Sequence, residues 1–162
     1  MADMLFDVIP SLDLADFTDG DTQRKAKFVE QLGSAYNNIG FVAIKNHYLT
    51  DELSANLYSV IKKFYALPDS VKQKYEIPGL AGQRGYIGKG KEHAKGRNTG
   101  DLKEFYHVGQ EVLDNDPIKK EYPDNVWPTE LPEFKEIALD VYKRLEKTGV
   151  QMLKAIALYL NL

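Results

Sequence analysis

Three histidines, three aromatic or basic side chains close to two of them, and no cysteine define what chemistry this chain could carry. A site made of two histidines and a carboxylate, which holds Fe(II) with positions left open, commonly shows a His-x-Asp pair. None is present: two residues after His47 comes Leu49, after His93 comes Lys95, and after His107 comes Gly109. The histidines therefore read as a turn histidine (His47), a solvated loop histidine (His93) and a strand histidine (His107). In Gly82-Gln83-Arg84-Gly85-Tyr86-Ile87-Gly88, Arg84 offers a fork for a carboxylate, and Tyr86 a flat face bearing a hydroxyl. In Leu102 to Val108, strand alternation places Lys103, Phe105 and His107 on one face and Glu104, Tyr106 and Val108 on the other. The competing readings are a solvated glycine-rich loop with incidental charge, and ordinary core aromatics. Gly85 to Lys91 also meets the G-x-x-x-x-G-K spacing of a phosphate loop, but Glu92 stands where a small hydroxyl is needed, which argues against nucleotide binding.

The elements that must position these residues follow from hydrophobic spacing. Val8 to Leu14 reads as a strand with Pro10 at an edge, followed by a turn over Asp16 to Asp21. A helix capped by Thr22 carries Phe28, Leu32 and Ala35 (or Tyr36) on one face and stops at Asn37-Asn38-Ile39-Gly40. Phe41 to Ile44 reads as a short buried strand. Thr50 opens a second helix with Leu53, Leu57, Val60, Ile61 and Phe64 inward, and Pro68 to Lys72 suits one further turn with proline at its first position. Residues 79–100 hold seven of the twelve glycines among basic residues and read as a mobile basic loop, with only Tyr86-Ile87 strand-like. A turn-rich connection pinned by Trp127-Pro128 leads to a long helix from Pro132, whose stripe includes Phe134, Ala138, Val141, Leu145, Met152 and Ile156. On that reading Leu145→Ala opens a cavity at a cost of about 2 to 5 kcal/mol. The fold class is α+β, and the strands are too few to close a barrel, so their edges need a partner.

Composition bounds the function. The 162 residues, 43% hydrophobic and 28% charged, suit one globular domain with a real core, and a formal charge of −3 argues against general nucleic-acid affinity. Positive charge is local: Arg84, Lys89, Lys91, Lys95, Arg97 and Lys103. No apolar run approaches the roughly 20 residues that span a bilayer, and Met1 to Leu5 lacks a basic flank, so a cytoplasmic location is the default expectation and no membrane partner is expected.

Val8 to Leu14, the run Ile39-Gly40-Phe41-Val42-Ala43-Ile44-Lys45-Asn46-His47, and Gly100 to His107 together resemble the N-terminal domain of the isopenicillin N synthase-like, non-haem Fe(II)/2-oxoglutarate-dependent dioxygenases. Tyr48 stands where relatives usually have glycine. The resemblance spans nearly all of residues 1–162 and implies helices and flanking strands beside a jelly-roll (double-stranded β-helix) barrel that is largely missing from this chain. It further implies that Fe(II) and 2-oxoglutarate are held by that C-terminal catalytic barrel, the chain's expected partner. The complete oxidoreductase would hydroxylate or desaturate a small organic substrate. By the same resemblance Arg84, Tyr86, Phe105 and His107 line the substrate entrance, no catalytic or metal-binding residue lies in these 162, and the chain alone is inactive. The exposed leucines of Tyr159-Leu160-Asn161-Leu162 would face the missing half. The alternative from another class is a non-catalytic binding or interaction domain that uses the basic loop for an anionic partner.

Overall fold

The computed structural model describes residues 8–93, 95–96 and 99–162. Arg97 of the basic segment and the Met1 to Leu5 start lie outside the described residues. The chain divides into two compact units, one of residues up to Thr50 together with Lys143–Leu162, the other Asp51–Tyr142. Each has its own apolar core.

In the first unit, β1 (Ser11–Asp13) pairs in parallel with β2 (Ala43–Lys45), Leu12 opposite Ile44. A parallel pair cannot be joined by a tight turn. The crossover here is helical, α1 (Leu14–Thr18) followed by α2 (Thr22–Asn38). The first half of the segment expected to be a turn, Asp16 to Thr18, is instead helical, because Asp13 caps α1 by accepting from the Ala15 N–H at 2.9 Å. At α2 the cap is Asp21, accepting from Arg24 N–H at 2.8 Å, and Thr22 is the first helical residue. Phe28, Leu32 and Ala35 are buried as their spacing requires, and Gly40, at φ 81°, ends the helix. Phe41 to Ile44 is not a buried strand: Phe41 is 68% exposed, since β2 has only β1 beside it and its alternate residues face out.

Leu12, Leu14, Phe17, Phe28 and Leu32 close against Met152 and Ala155 of α5 (Glu133–Tyr159). Gly33 marks the tightest approach. A Cβ there would lie 2.2 Å from the Tyr159 ring, whose hydroxyl accepts from Asn37 Nδ2 at 2.9 Å. Alanine in a helix normally gains about 1 kcal/mol over glycine. Here overpacking, at about 1 to 3 kcal/mol, opposes it. Gly33→Ala should therefore lower the urea midpoint; a raised midpoint would mean that Tyr159 moves freely.

The second unit begins with α3 (Asp51–Tyr65), whose Val60 and Phe64 are buried. Pro68 caps α4 (Asp69–Lys72), one position earlier than its expected place, and a 3-10 turn follows over Gln73–Tyr75. β3 (Gly85–Ile87) and β4 (Phe105–His107) form an antiparallel pair, with Tyr86 opposite Tyr106. The strand expected over 102–108 is shorter, and Leu102 is 90% exposed. Within 79–100 the strand is Gly85–Ile87, one residue longer than expected, and residues 81–84 before it are turn and bend, with Gly82, Gly85 and Tyr86 buried. Gly85, at φ 78°, could not carry a side chain: a Cβ would fall 2.3 Å from the Tyr75 carbonyl oxygen.

The helix α5 passes Gly149 without a break. Its first turns give Phe134, Ala138 and Val141 as buried residues, and its later turns Met152 and Ala155. Leu145 falls in neither core and is 53% exposed, so no cavity follows from its truncation and the expected cost does not apply. Among the described residues no helix is long and apolar enough to cross a membrane.

Candidate substrate-facing surface of the second unit

Opposed residues of an antiparallel pair share a face, so the β3 to β4 register decides which side chains can meet a ligand. Tyr86 and Tyr106 point inward. Their rings lie 5.8 Å and 4.9 Å from that of Phe64, and the Tyr106 hydroxyl donates to the Val126 carbonyl. Ile87 with Phe105 and Gly85 with His107 take the outer face.

Behind the inner face lies a buried ionic knot. Lys72, 4% exposed, donates to Glu104 Oε2 at 2.8 Å and lies 3.1 Å from Asp69; the Tyr86 hydroxyl donates to the same Glu104 oxygen at 2.5 Å. Burial pushes the Tyr86 hydroxyl up to about 12, aided by the neighbouring Glu104 carboxylate. For Glu104 burial alone would raise the pKa, but the hydrogen bonds from Lys72 and Tyr86 outweigh it and hold the carboxyl below its ordinary value. Glu104 accordingly stays ionised. Its location just before β4 ties the root of that strand to α4.

On the outer face the rings of Phe105 and His107 lie 4.6 Å apart. His107 Nδ1 meets the Gly82 carbonyl, which can only accept, so Nδ1 carries the proton and Nε2 of the neutral ring is left as an acceptor. The Arg84 guanidinium occupies the space where a side chain on Gly109 would stand: a Cβ there would lie 2.1 Å from Arg84 Cζ. Gly109 is itself clasped at both backbone groups by Asn125, through N–H to Oδ1 and Nδ2 to carbonyl, each 2.8 Å. Arg84 Nη1 donates to the Gln83 carbonyl at 2.7 Å, while its buried Nε has no partner and, among the described residues, no carboxylate pairs with it.

The structure thus gathers Phe105 and His107 on one face, places Arg84 in the Gly109 notch, and separates Tyr86 from them on the opposite face. Gly109 and Asn125 escaped sequence reasoning because their contacts with each other and with Arg84 join residues remote in the chain. Lys72 and Glu104 were legible only in part, through the opposite alternation of Glu104 and Phe105. Part of the basic segment is paired: Lys89 with Glu104, Lys91 with Glu76, and Lys103 with Glu92 and Asp101.

The described residues do not fit a metal ion. Among the described residues no group of three or more histidines, cysteines or carboxylates comes together as ligands. His107 spends one ring nitrogen on Gly82.

Residues 9–130 match the family model described as the N-terminal region of the non-haem dioxygenase in morphine synthesis. The chain belongs to this non-haem dioxygenase N-terminal family. One relative of this family member is the 2-oxoglutarate-dependent dioxygenase imqE of Aspergillus flavus, 32% identical over 179 residues that cover 95% of this chain and 49% of the relative. Another is the proline hydroxylase buaE of Petromyces alliaceus, 31% identical across 92% of this chain and 47% of its own. A solved 2OG-Fe(II) oxygenase family protein from Caulobacter crescentus superposes with a TM-score of 0.82 at 33% identity, over 96% of this chain and 49% of that one. The non-haem dioxygenase N-terminal chain therefore spans about half the length of the curated relatives it matches.

Proposed function

We propose that these residues form the front half of an Fe(II)/2-oxoglutarate-dependent oxygenase acting on a small organic substrate, and that the outer face of the β3 to β4 pair borders the substrate entrance. Membership of the dioxygenase N-terminal family supports the reaction class. The observations that carry the entrance are the ring contact of Phe105 with His107 and the Arg84 guanidinium, which lies at Gly109, two residues further along the chain, and among the described residues has no carboxylate partner. An aromatic wall, a histidine acceptor and a cationic fork are the kinds of group that orient a small polar substrate. Tyr86, buried and bonded to Glu104, acts in this reading as a positioning residue beneath that face. Fe(II) and 2-oxoglutarate would be held by residues outside this chain, in a barrel of the kind the family resemblance implies.

In the full-length protein, Arg84→Ala, Phe105→Ala and His107→Ala should each lower kcat/KM for the organic substrate by a factor corresponding to about 1 to 3 kcal/mol, with iron content unchanged. Substrate-independent decarboxylation of 2-oxoglutarate should persist, because these groups are assigned to the substrate and not to the co-substrate. Three variants with wild-type kcat/KM would reduce the face to scaffold. Loss of iron from any of them would place that residue in the metal site and overturn the assignment.

The interaction-domain alternative is weakened at Lys89 and Lys91, which already face carboxylates.

A further inference from the structure

In the second unit Lys63, Lys72, Lys74, Lys89, Lys91, Lys103, Lys119 and Lys135 are each paired with a carboxylate. In the first unit, where among the described residues no lysine pairs with a carboxylate, Lys25, Lys147 and Lys154 gather about one hollow. Along α5, Lys147, Gln151, Lys154 and Leu158 recur at intervals of four, three and four residues and so share one helix face. Gln151, Lys154 and Leu158 line a hollow of about 540 Å³, whose other walls include Phe17, Lys25 and Tyr48. No carboxylate lines it, and among the described residues Lys25, Lys147 and Lys154 have no carboxylate partner.

Two of these ammonium groups are held in place by rings. Lys25 Nζ sits 4.9 Å from the centroid of Phe17, and Lys147 Nζ 3.8 Å from that of Tyr48. Both rings are anchored: Phe17 is 5% exposed and packs on Phe28, while the backbone of Tyr48 is bonded to Thr148 and Arg144. A cation over a ring is fixed in position yet keeps N–H donors for an anion. Like charges gathered on one concave surface repel, and an anion placed among them relieves that repulsion.

We propose that this hollow binds a small organic anion, its carboxylate or phosphate head between Lys25 and Lys154 and its apolar body against Phe17 and Leu158. The volume lies within the range of about 300 to 1,000 Å³ common for small-molecule sites. The site is separate from the outer face of the β3 to β4 pair and does not depend on the oxygenase reading.

The test is titration of the 162-residue chain, followed by amide and lysine side-chain NMR, with phenyl phosphate, 3-phenylpropionate, inorganic phosphate and neutral 3-phenylpropanol. The expected result is saturable shifts confined to the hollow with one or both aromatic anions, the tighter one naming the head group. Inorganic phosphate should bind about tenfold or more weakly, since it lacks the apolar body. The double variant Lys25→Gln/Lys154→Gln should raise Kd about tenfold, Lys147→Gln should raise it less, and Lys45→Gln should leave it unchanged. Equal binding of the neutral alcohol, shifts spread over all lysines, no saturable shift, or an unchanged Kd in the double variant would each overturn the proposal. The substituted lysines are exposed, so a dispersed spectrum separates lost binding from lost folding.

Discussion

Lys72→Met should lower the unfolding free energy by about 3 to 5 kcal/mol, the range found when one partner of a buried ion pair is removed. The reason is the state in which the change leaves Glu104. Its side chain is 16% exposed and would keep only the Tyr86 hydroxyl and Lys89, at 3.9 Å, as partners for a charge largely withdrawn from water. Glu104→Gln should cost less, because the amide oxygen still accepts from both Lys72 and Tyr86. The pH dependence has a definite sign. Glu104 has its pKa lowered on folding, so its contribution is present above the ordinary value of 4.5 and is lost as pH falls through the lower folded value. Lys72 has its pKa raised, chiefly by the hydrogen bond to Glu104, so its contribution is present below the ordinary 10.5 and is lost as pH rises through the folded value. Tyr86 has the same sign as Lys72, its contribution lost as pH rises toward about 12. Urea unfolding at neutral pH and below pH 4 measures both effects. The wild-type chain should lose more on acidification than Lys72→Met, and equal acid sensitivity would remove the knot from the list of stabilising features.

How far the sequence foretold this arrangement depended on whether a signal was local. Long amphipathic helices were legible: the spacing of Phe28, Leu32 and Ala35, and of Val60 and Phe64, matches what is buried. Short ones were not. Five residues cannot display a helical period, so α1 was concealed in an aspartate-rich stretch that also suits a turn. At α2 two adjacent residues, Asp21 and Thr22, could each cap, and only geometry separates them. Alternation within β4 gave the common face of Phe105 and His107, but the face of Tyr86 depends on its pairing with Tyr106, a register no local pattern contains. Leu145 fits the apolar stripe by spacing, yet a stripe does not reveal where along a 27-residue helix the cores end. The notch at Gly109 is the least legible part, since it joins Arg84, Gly109 and Asn125 through contacts between remote residues.

Phe64→Ala should cost about 3 to 5 kcal/mol, the range for emptying a fully packed aromatic site. Phe64 has no exposed surface, and its ring makes edge contacts with those of Tyr65, Tyr75, Tyr86, Tyr106 and Phe134 at centroid distances from 4.9 to 6.1 Å. Each such pair contributes about 0.5 to 1.5 kcal/mol beyond area burial, though the values do not add when one ring is shared. Four of the five partners come from outside α3, so the neighbours cannot collapse into the space without displacing the strands. Phe64→Leu should recover part of the loss by filling volume without the ring edges. The location of the damage is as informative as its size. Tyr86 and Tyr106 are the inner side of the face that carries Phe105 and His107 outward, so the hairpin amides of Gly85 to Ile87 should exchange faster. The β1 to β2 amides of the first unit rest on a separate core and should change less. Hydrogen exchange resolved by residue makes the comparison. A wild-type urea midpoint would show that the aromatic cluster is not the support of this unit, and equal acceleration in both strand pairs would show that the two cores open together.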